Sequence, residues 1–188
     1  LYKYSKDQMH EDNQDEYLSS WKPMPDTERQ VFDAIVEGGN ARLGEITNSV
    51  FQGLITGWNK MFVGEVIGEE DEDGVVQFLR EGGDEPEPVE EQLLRRLLKG
   101  SEIDHWGADW EGLWLLFPYE VKDAKADLLT QKTLQNEFSN TWEFFKNHED
   151  ELKAREDGKW EDVDQWWAFG RSQNLAKMEP DKIMTNIM

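Results

Sequence analysis

Met61-Phe62-Val63-Gly64-Glu65-Val66-Ile67, the acidic stretch Gly68-Glu69-Glu70-Asp71-Glu72-Asp73-Gly74, and Val75-Val76-Gln77-Phe78-Leu79 decide how this chain folds. Two apolar, β-branched runs flank an Asp73-Gly74 pair, and a glycine after Asp supplies the positive φ that a tight reversal needs. It is the strongest hairpin signal in the sequence and commits the chain to antiparallel sheet. Val50–Ile55 reads as a preceding strand, joined to Met61–Ile67 by a Thr56-Gly57-Trp58-Asn59 turn.

Working outward, helical spacing appears on both sides. Asp26-Thr27 caps a helix whose apolar positions are Val31, Phe32, Ile35 and Val36, and Gly38-Gly39 stops it. Gly82–Pro88 reads as a loop from its Gly, Pro and acid content. Val89–Lys99 reads as an amphipathic helix, with Val89, Leu93, Leu94, Leu97 and Leu98 on one face and Arg95, Arg96 and Lys99 on another. Leu113–Tyr119 is a buried strand ended by Pro118. Leu128–Glu156 is largely helical, with Leu134, Phe138, Trp142, Phe145 and Leu152 on one stripe. Trp166–Arg171 and Lys182–Ile187 read as strands, with a turn of helix at Asn174–Met178. The fold class is α+β: a small mixed or antiparallel sheet with a long helical hairpin segment. Residues 1–25 are expected to be a polar arm or linker, and 26–188 one domain. A chain that begins at Leu1 and ends within an expected strand reads as a piece of a longer protein.

Composition bounds the function. The 188 residues include 20 Lys and Arg against 41 Asp and Glu, a formal charge of −21, with nine Trp and no Cys. Without Cys there is no disulfide framework, zinc knuckle or thiol chemistry. No apolar run approaches the ~18 residues of a membrane span. The charge argues first against nucleic acid, whose partners carry a basic footprint. Its distribution argues otherwise. Ile46–Gly64, Gln92–Ser101 and Gln165–Met178 contain no acid, and they hold Lys60, Arg95, Arg96, Lys99, Arg171 and Lys177. Gly112–Tyr119 is also acid-free, whereas Glu69–Glu91 is densely acidic.

Catalytic and nucleotide-cradling signatures are missing. The prolines stand at 23, 25, 86, 88, 118 and 180, so no Pro-Pro pair exists, and there is neither a GxGxxG nor a Walker loop. His10, His105 and His148 are isolated, and His148 beside Glu149 and Asp150 reads as a surface residue. Acid pairs are too abundant for any two to stand out as a general acid and base. Two segments do stand out. In Phe51–Val63, Gly53 and Gly57 permit close backbone approach, while Thr56, Asn59 and Lys60 offer polar groups at a turn. In Trp166-Trp167-Ala168-Phe169-Gly170-Arg171-Ser172-Gln173-Asn174-Leu175, an aromatic run ends in Gly and presents Arg171, Gln173 and Asn174. Arg pairs with guanine O6 and N7, and Gln or Asn with adenine N6 and N7. Each segment also reads as ordinary structure, a tight hairpin in the first case and a core strand with a polar exit in the second.

Gly53-Leu54-Ile55-Thr56-Gly57-Trp58-Asn59-Lys60-Met61-Phe62-Val63 resembles the opening of the TaqI-like C-terminal specificity domain, the target-recognition module of N6-adenine DNA methyltransferases and fused restriction–modification enzymes. Four later segments resemble that family in its order. They are Leu97–Trp106 ("kGrdI..y/w"), Trp114-Leu115-Leu116-Phe117-Pro118-Tyr119 ("L.FPY"), Phe138–Glu156 ("yLk.hk..Le.Re") and Trp167–Leu175 ("Wy.yGR.qnl"). Ser101 replaces an Arg common in the family, and Ala168 a Tyr.

The resemblance implies a double-stranded DNA recognition lobe in the cytoplasm. It places the S-adenosyl-L-methionine loop and the Pro-Pro motif in an upstream methyltransferase domain, with no cofactor, metal or catalytic residue here. Arg171, Gln173, Asn174, Thr56 and Asn59 are then the candidates for base edges, and Lys60, Arg95, Arg96, Lys99 and Lys177 for phosphates. Two other classes stand beside this reading: an acidic DNA-mimic or protein-binding module, and a carbohydrate-binding fragment with Trp platforms. Against the last, Trp142, Trp160, Trp166 and Trp167 fall at core-like positions. The carboxylate excess itself implies a salt-loving source, because salt screens self-repulsion. The melting temperature is therefore expected to rise with salt into the molar range; a melting temperature indifferent to molar salt overturns the idea of a halophilic coat.

Overall fold

A computed structural model of the chain describes residues 26–41, 43–104 and 107–185. The expected polar arm, the His105-Trp106 pair and the last residues of the expected Lys182–Ile187 strand lie outside them. The chain divides into two units, Leu1–Val50 and Phe51–Met188. In the first, α1 (Asp26–Gly38) and α2 (Leu43–Ile46) are helical. α1 stops at Gly38, as expected, yet Val31 and Ile35 on its apolar stripe are 61% and 68% exposed.

The second unit is α+β, as expected. After the short helix α3 (Asn59–Phe62) come β1 (Val63–Ile67), β2 (Val75–Arg80), β3 (Glu87–Glu90), β4 (Leu94–Arg96) and β5 (Leu113–Leu116). They form one antiparallel sheet in the order β3-β2-β1-β5-β4. The decisive hairpin is present, with Gly64 opposite Arg80 and Ile67 opposite Gln77. Its reversal is built by Asp71, whose carboxylate accepts the Asp73 and Val75 N–H groups at 3.0 and 2.9 Å. Part of the acidic run is therefore turn chemistry.

A separate hairpin, β6 (Tyr119–Lys122) with β7 (Lys125–Leu128), follows β5. It was not anticipated, because its Asp123-Ala124 reversal places both residues at positive φ without glycine. That combination is costly for Ala and leaves almost no sequence signal. Thr130 then caps α4 (Gln131–Glu137), accepting the Thr133 N–H at 3.1 Å. α5 (Ser139–Asn147) and α6 (Glu149–Gly158) complete the long helical segment. Leu134, Trp142, Phe145 and Leu152 are buried and Phe138 half-buried, so the expected stripe is the core face.

Four expectations fail. Val89–Lys99 is not a helix: it supplies the end of β3, a 3₁₀ turn at Glu91–Leu93, and β4. A short apolar run satisfies helix and strand spacing alike, and here ladder partners win: Val89 pairs with Val76 and Leu94 with Leu116. Val50–Ile55 contributes a single bridge, at Ile55. Trp166–Arg171 is turn rather than strand, because Trp166, Trp167 and Phe169 all point into the core and a strand would alternate them. Lys182–Thr185 likewise forms no strand, while the helical turn appears at Leu175–Met178.

One carboxylate ties sheet to helices. Glu90, at the end of β3 and 8% exposed, accepts the Asn140 and Thr141 N–H groups at 2.9 and 2.8 Å, at the start of α5. The Thr141 hydroxyl adds a bond at 2.6 Å and the Asn140 amide another at 3.1 Å. A negative charge at a helix N-terminus is favourable, and its N–H groups need acceptors. Glu90→Ala is expected to lower the unfolding free energy by roughly 2–3 kcal/mol, the size of lost charged hydrogen bonds. Glu90→Gln, which keeps acceptors, loses less. Urea denaturation measures both, and a loss for the Ala variant below about 0.5 kcal/mol, the range of neutral surface changes, overturns the anchor.

Candidate nucleic-acid interface

The two segments singled out by sequence cross each other. Ile55 forms an antiparallel bridge with Arg171, and Gly170 donates its N–H to the Thr56 carbonyl at 2.7 Å. At the crossing a Cβ on Gly57 would lie 3.0 Å from the Gly170 Cα, and one on Gly170 would lie 2.9 Å from the Gly57 Cα. Gly57 also has φ +80°. The glycines of both motifs are thus needed for chain-to-chain approach, which revises the expectation that Gly57 opens the backbone to a ligand. Gly53 has open space around it.

Thr56 is 2% exposed, and its hydroxyl is committed within the turn, donating to Asn59 Oδ1 at 2.7 Å and accepting the Trp58 N–H at 3.1 Å. The proposed base-edge role for Thr56 therefore gives way to a positioning one: it fixes Asn59, which is exposed with Lys60 at the start of α3. Arg171 and Gln173 are exposed directly past the crossing. Asn174 is half-buried at φ +66°, a conformation Asn tolerates, and turns the chain into Leu175–Met178.

Beneath the crossing sits Arg155, which the sequence reading passed over. The chain leaves helical geometry there, with Glu156 and Asp157 at positive φ. Arg155 is 6% exposed, donates to the Trp166 carbonyl at 3.0 Å and to that of Ala168, and lies 3.9 Å over the Trp160 ring. Its Nε and Nη1 have no hydrogen-bond partner. Burial pulls its pKa down to about 10, so it stays charged at neutral pH. Burial likewise pushes the Tyr119 hydroxyl up to about 12; this hydroxyl accepts the Phe169 N–H at 2.7 Å.

Single contacts link the three acid-free windows to one another. The Ile55–Arg171 bridge joins the first window to the third. Arg95 joins the second to their end: its Nε lies 3.6 Å from Glu179, and its guanidinium 5.6 Å over Phe117, which packs on Phe169. Lys177 lies 5.3 Å over the Phe51 ring. Arg96, exposed on the edge strand β4, lies 4.6 Å over Trp110. Glu102 closes the turn after Lys99 by accepting the N–H groups of Lys99 and, at 2.7 Å, Glu111; these bonds hold its carboxyl below its ordinary pKa. Lys99 and Ser101 are left exposed on that turn.

Among the described residues, Lys60, Arg96, Lys99, Arg171 and Lys177 form no ion pair, whereas Arg80, Lys122, Lys146, Lys153 and Lys159 each pair with a carboxylate. Lys125 and Lys132 are also unpaired, and sequence reasoning did not single them out. His148 is no lone surface residue. It is half-buried against Phe144, with Nε2 2.6 Å from Glu87 and Nδ1 3.4 Å from Glu151. No group of His, Asp and Glu among the described residues is arranged to hold a metal ion. No described helix is long and apolar enough to cross a membrane.

No protein-family model, curated protein or solved structure matches the chain, so the TaqI-like resemblance rests on its quoted motifs.

The crossing makes a sharp steric forecast. Gly170→Ala drives a methyl into the Gly57 backbone and should cost roughly 1–3 kcal/mol, as overpacking does. Gly53→Ala, with nothing within 4 Å of the added carbon, should stay within about 0.5 kcal/mol of wild type. Equal denaturation midpoints for the two variants overturn the crossing.

Proposed function

We propose that this chain is the DNA target-recognition lobe of an adenine-specific N6-methyltransferase of restriction–modification type, working in the cytoplasm. The observation that carries the reading is that the acid-free windows are linked in the fold and that, among the described residues, all their cations but Arg95 are left without an ion pair in a chain of 41 acids and 20 bases. A methyltransferase must draw its adenine out of the stack, and a second lobe gripping the duplex steadies it meanwhile. Lys60, Arg96, Lys99 and Lys177 bind phosphates and fix register without reading sequence. Arg95 joins them by exchanging Glu179 for a phosphate, since an exposed ion pair is worth only about 0–1 kcal/mol. Arg171 and Gln173, with Asn59 and Asn174, read base edges, each good bidentate contact discriminating by roughly 1–3 kcal/mol. S-adenosyl-L-methionine and the catalytic residues belong to an upstream methyltransferase domain of the parent protein.

The acidic coat gives binding an unusual salt response. Counterion release weakens phosphate contacts as salt rises, while repulsion from the coat is strongest at low salt. Affinity for duplex is expected to peak at intermediate or high salt. In the parent enzyme, Arg171→Ala should lower the methylation rate at the cognate site about tenfold or more and relax preference at one base pair. Lys60→Ala should weaken binding evenly across sequences. An unchanged rate and site preference for Arg171→Ala overturns its base-reading role. Indifference to duplex at every salt, with capture of a basic protein, replaces the reading with an acidic DNA mimic.

A further inference from the structure

Next to the crossing lies an open cleft of about 520 Å³. The β6–β7 hairpin forms one wall through Tyr119, Asp127 and Leu128, and the segment after α6 forms the other through Trp160, Gln165 and Ser172. Its character is set by Trp160. Sequence spacing assigned this Trp to the core with Trp142, Trp166 and Trp167, and those three are buried. Trp160 is instead half-exposed and lines the cleft.

The ring is held by two contacts that do nothing for the cleft itself. The Arg155 guanidinium backs one face at 3.9 Å, and the indole N–H donates to Glu156 at 3.1 Å. A ring so clamped has lost its rotamer freedom before any ligand arrives, which is the condition for an effective stacking platform. Arg155 supports the platform from behind and does not itself line the cleft. It is a charge more than nine-tenths buried, with Nε and Nη1 unpartnered, placed directly beneath the platform. Buried polar groups of this kind are rare in finished protein interiors.

The lining selects the ligand. It contains no Lys or Arg and one carboxylate, Asp127, so a phosphate is disfavoured. Gln165 offers an amide donor and acceptor and Ser172 a hydroxyl, which complement the hydrogen-bonding edge of a neutral heterocycle. Arg171 lies in sequence between the lining residues Gly170 and Ser172, where a phosphate attached to such a heterocycle would be met at the rim. We propose that this cleft binds a single unpaired nucleobase, stacked on Trp160 with its edge toward Gln165 and Ser172. The proposal rests on the DNA reading for its biological ligand, but the cleft is testable without duplex DNA.

The first measurement titrates uncharged adenosine into the full chain and follows the Trp160 indole N–H by NMR, assigned by its absence in Trp160→Phe. A saturable shift in the millimolar range is expected, weakened in Gln165→Ala and absent with ribose alone. The second compares a paired duplex with one carrying a single bulged adenine. The bulge should tighten binding about tenfold, the scale of one base–aromatic stack. Trp160→Leu should abolish that preference while paired-duplex affinity stays the same. Trp160→Phe, which keeps a ring over Arg155, should retain most of it, separating stacking from misfolding. No saturable adenosine shift overturns the proposal, as does an equal shift with ribose or glucose, or a bulge preference that survives Trp160→Leu. Loss of paired-duplex binding alone overturns the DNA reading and leaves the adenosine result to decide the cleft.

Discussion

The approach of Gly57 to Gly170, with no room for a methyl group on either side, is the constraint on which this part of the fold depends. It sets Thr56 opposite Gly170 and Ile55 opposite Arg171, and so fixes the register of two segments more than a hundred positions apart. From that register the rest follows along both chains. On one side α3 turns directly into β1, delivering Met61, Phe62 and Val63 into the core. On the other, Trp166, Trp167 and Phe169 fill the interior behind the crossing while Arg171 and Gln173 emerge in front of it. One close backbone contact thus separates the packing residues from the exposed polar ones.

Two buried charges steady this arrangement by opposite routes. Glu90 is satisfied: its oxygens meet backbone and side-chain donors at the start of α5, so its desolvation is offset by charge-assisted bonds and by the helix terminus. Arg155 is only partly satisfied, with two carbonyls and two aromatic rings but no carboxylate and two idle nitrogens, Nε and Nη1. A fully paired charge such as Glu90 reads as architecture. An incompletely paired one beneath the half-buried Trp160 leaves bonding capacity unmet, and that costs stability.

Sequence reasoning succeeded where local chemistry and tertiary demand agree. Gly74 after Asp73, the helix limits at Asp26 and Gly38, and the Leu134–Leu152 stripe carry their signals within a few residues. It failed where long-range pairing decides. Val89 and Leu94 fit a helix face until Val76 and Leu116 claim them for the sheet. Trp166, Trp167 and Phe169 imitate a strand, but the core takes all three. The candidate site was legible as composition, through segments that lack acid, and as motif, through Gly57 and Gly170. Thr56 was misjudged because a hydroxyl at a turn reads the same whether it serves the turn or a ligand. Arg155 and Trp160 were missed because their pairing arises from positive-φ residues at 156 and 157, which neither Glu nor Asp announces.

Molar salt also decides which contacts can matter. At about 1 M the screening length is ~3 Å, against ~10 Å at 0.1 M. Under those conditions the carboxylate coat is invisible to an approaching duplex beyond direct contact, but the long-range pull of Lys60, Arg96 and Lys177 is equally blunted. Interactions made at contact survive: bidentate hydrogen bonds to base edges, and stacking on a clamped indole. In such a medium added lysines gain little, and rigid placement of a few planar groups gains much. The Arg171 backbone is fixed by its bridge to Ile55, and the Trp160 ring by Arg155 and Glu156. A net charge of −21 does not by itself exclude contact with a polyanion, because at high salt screening leaves only the interactions made at contact.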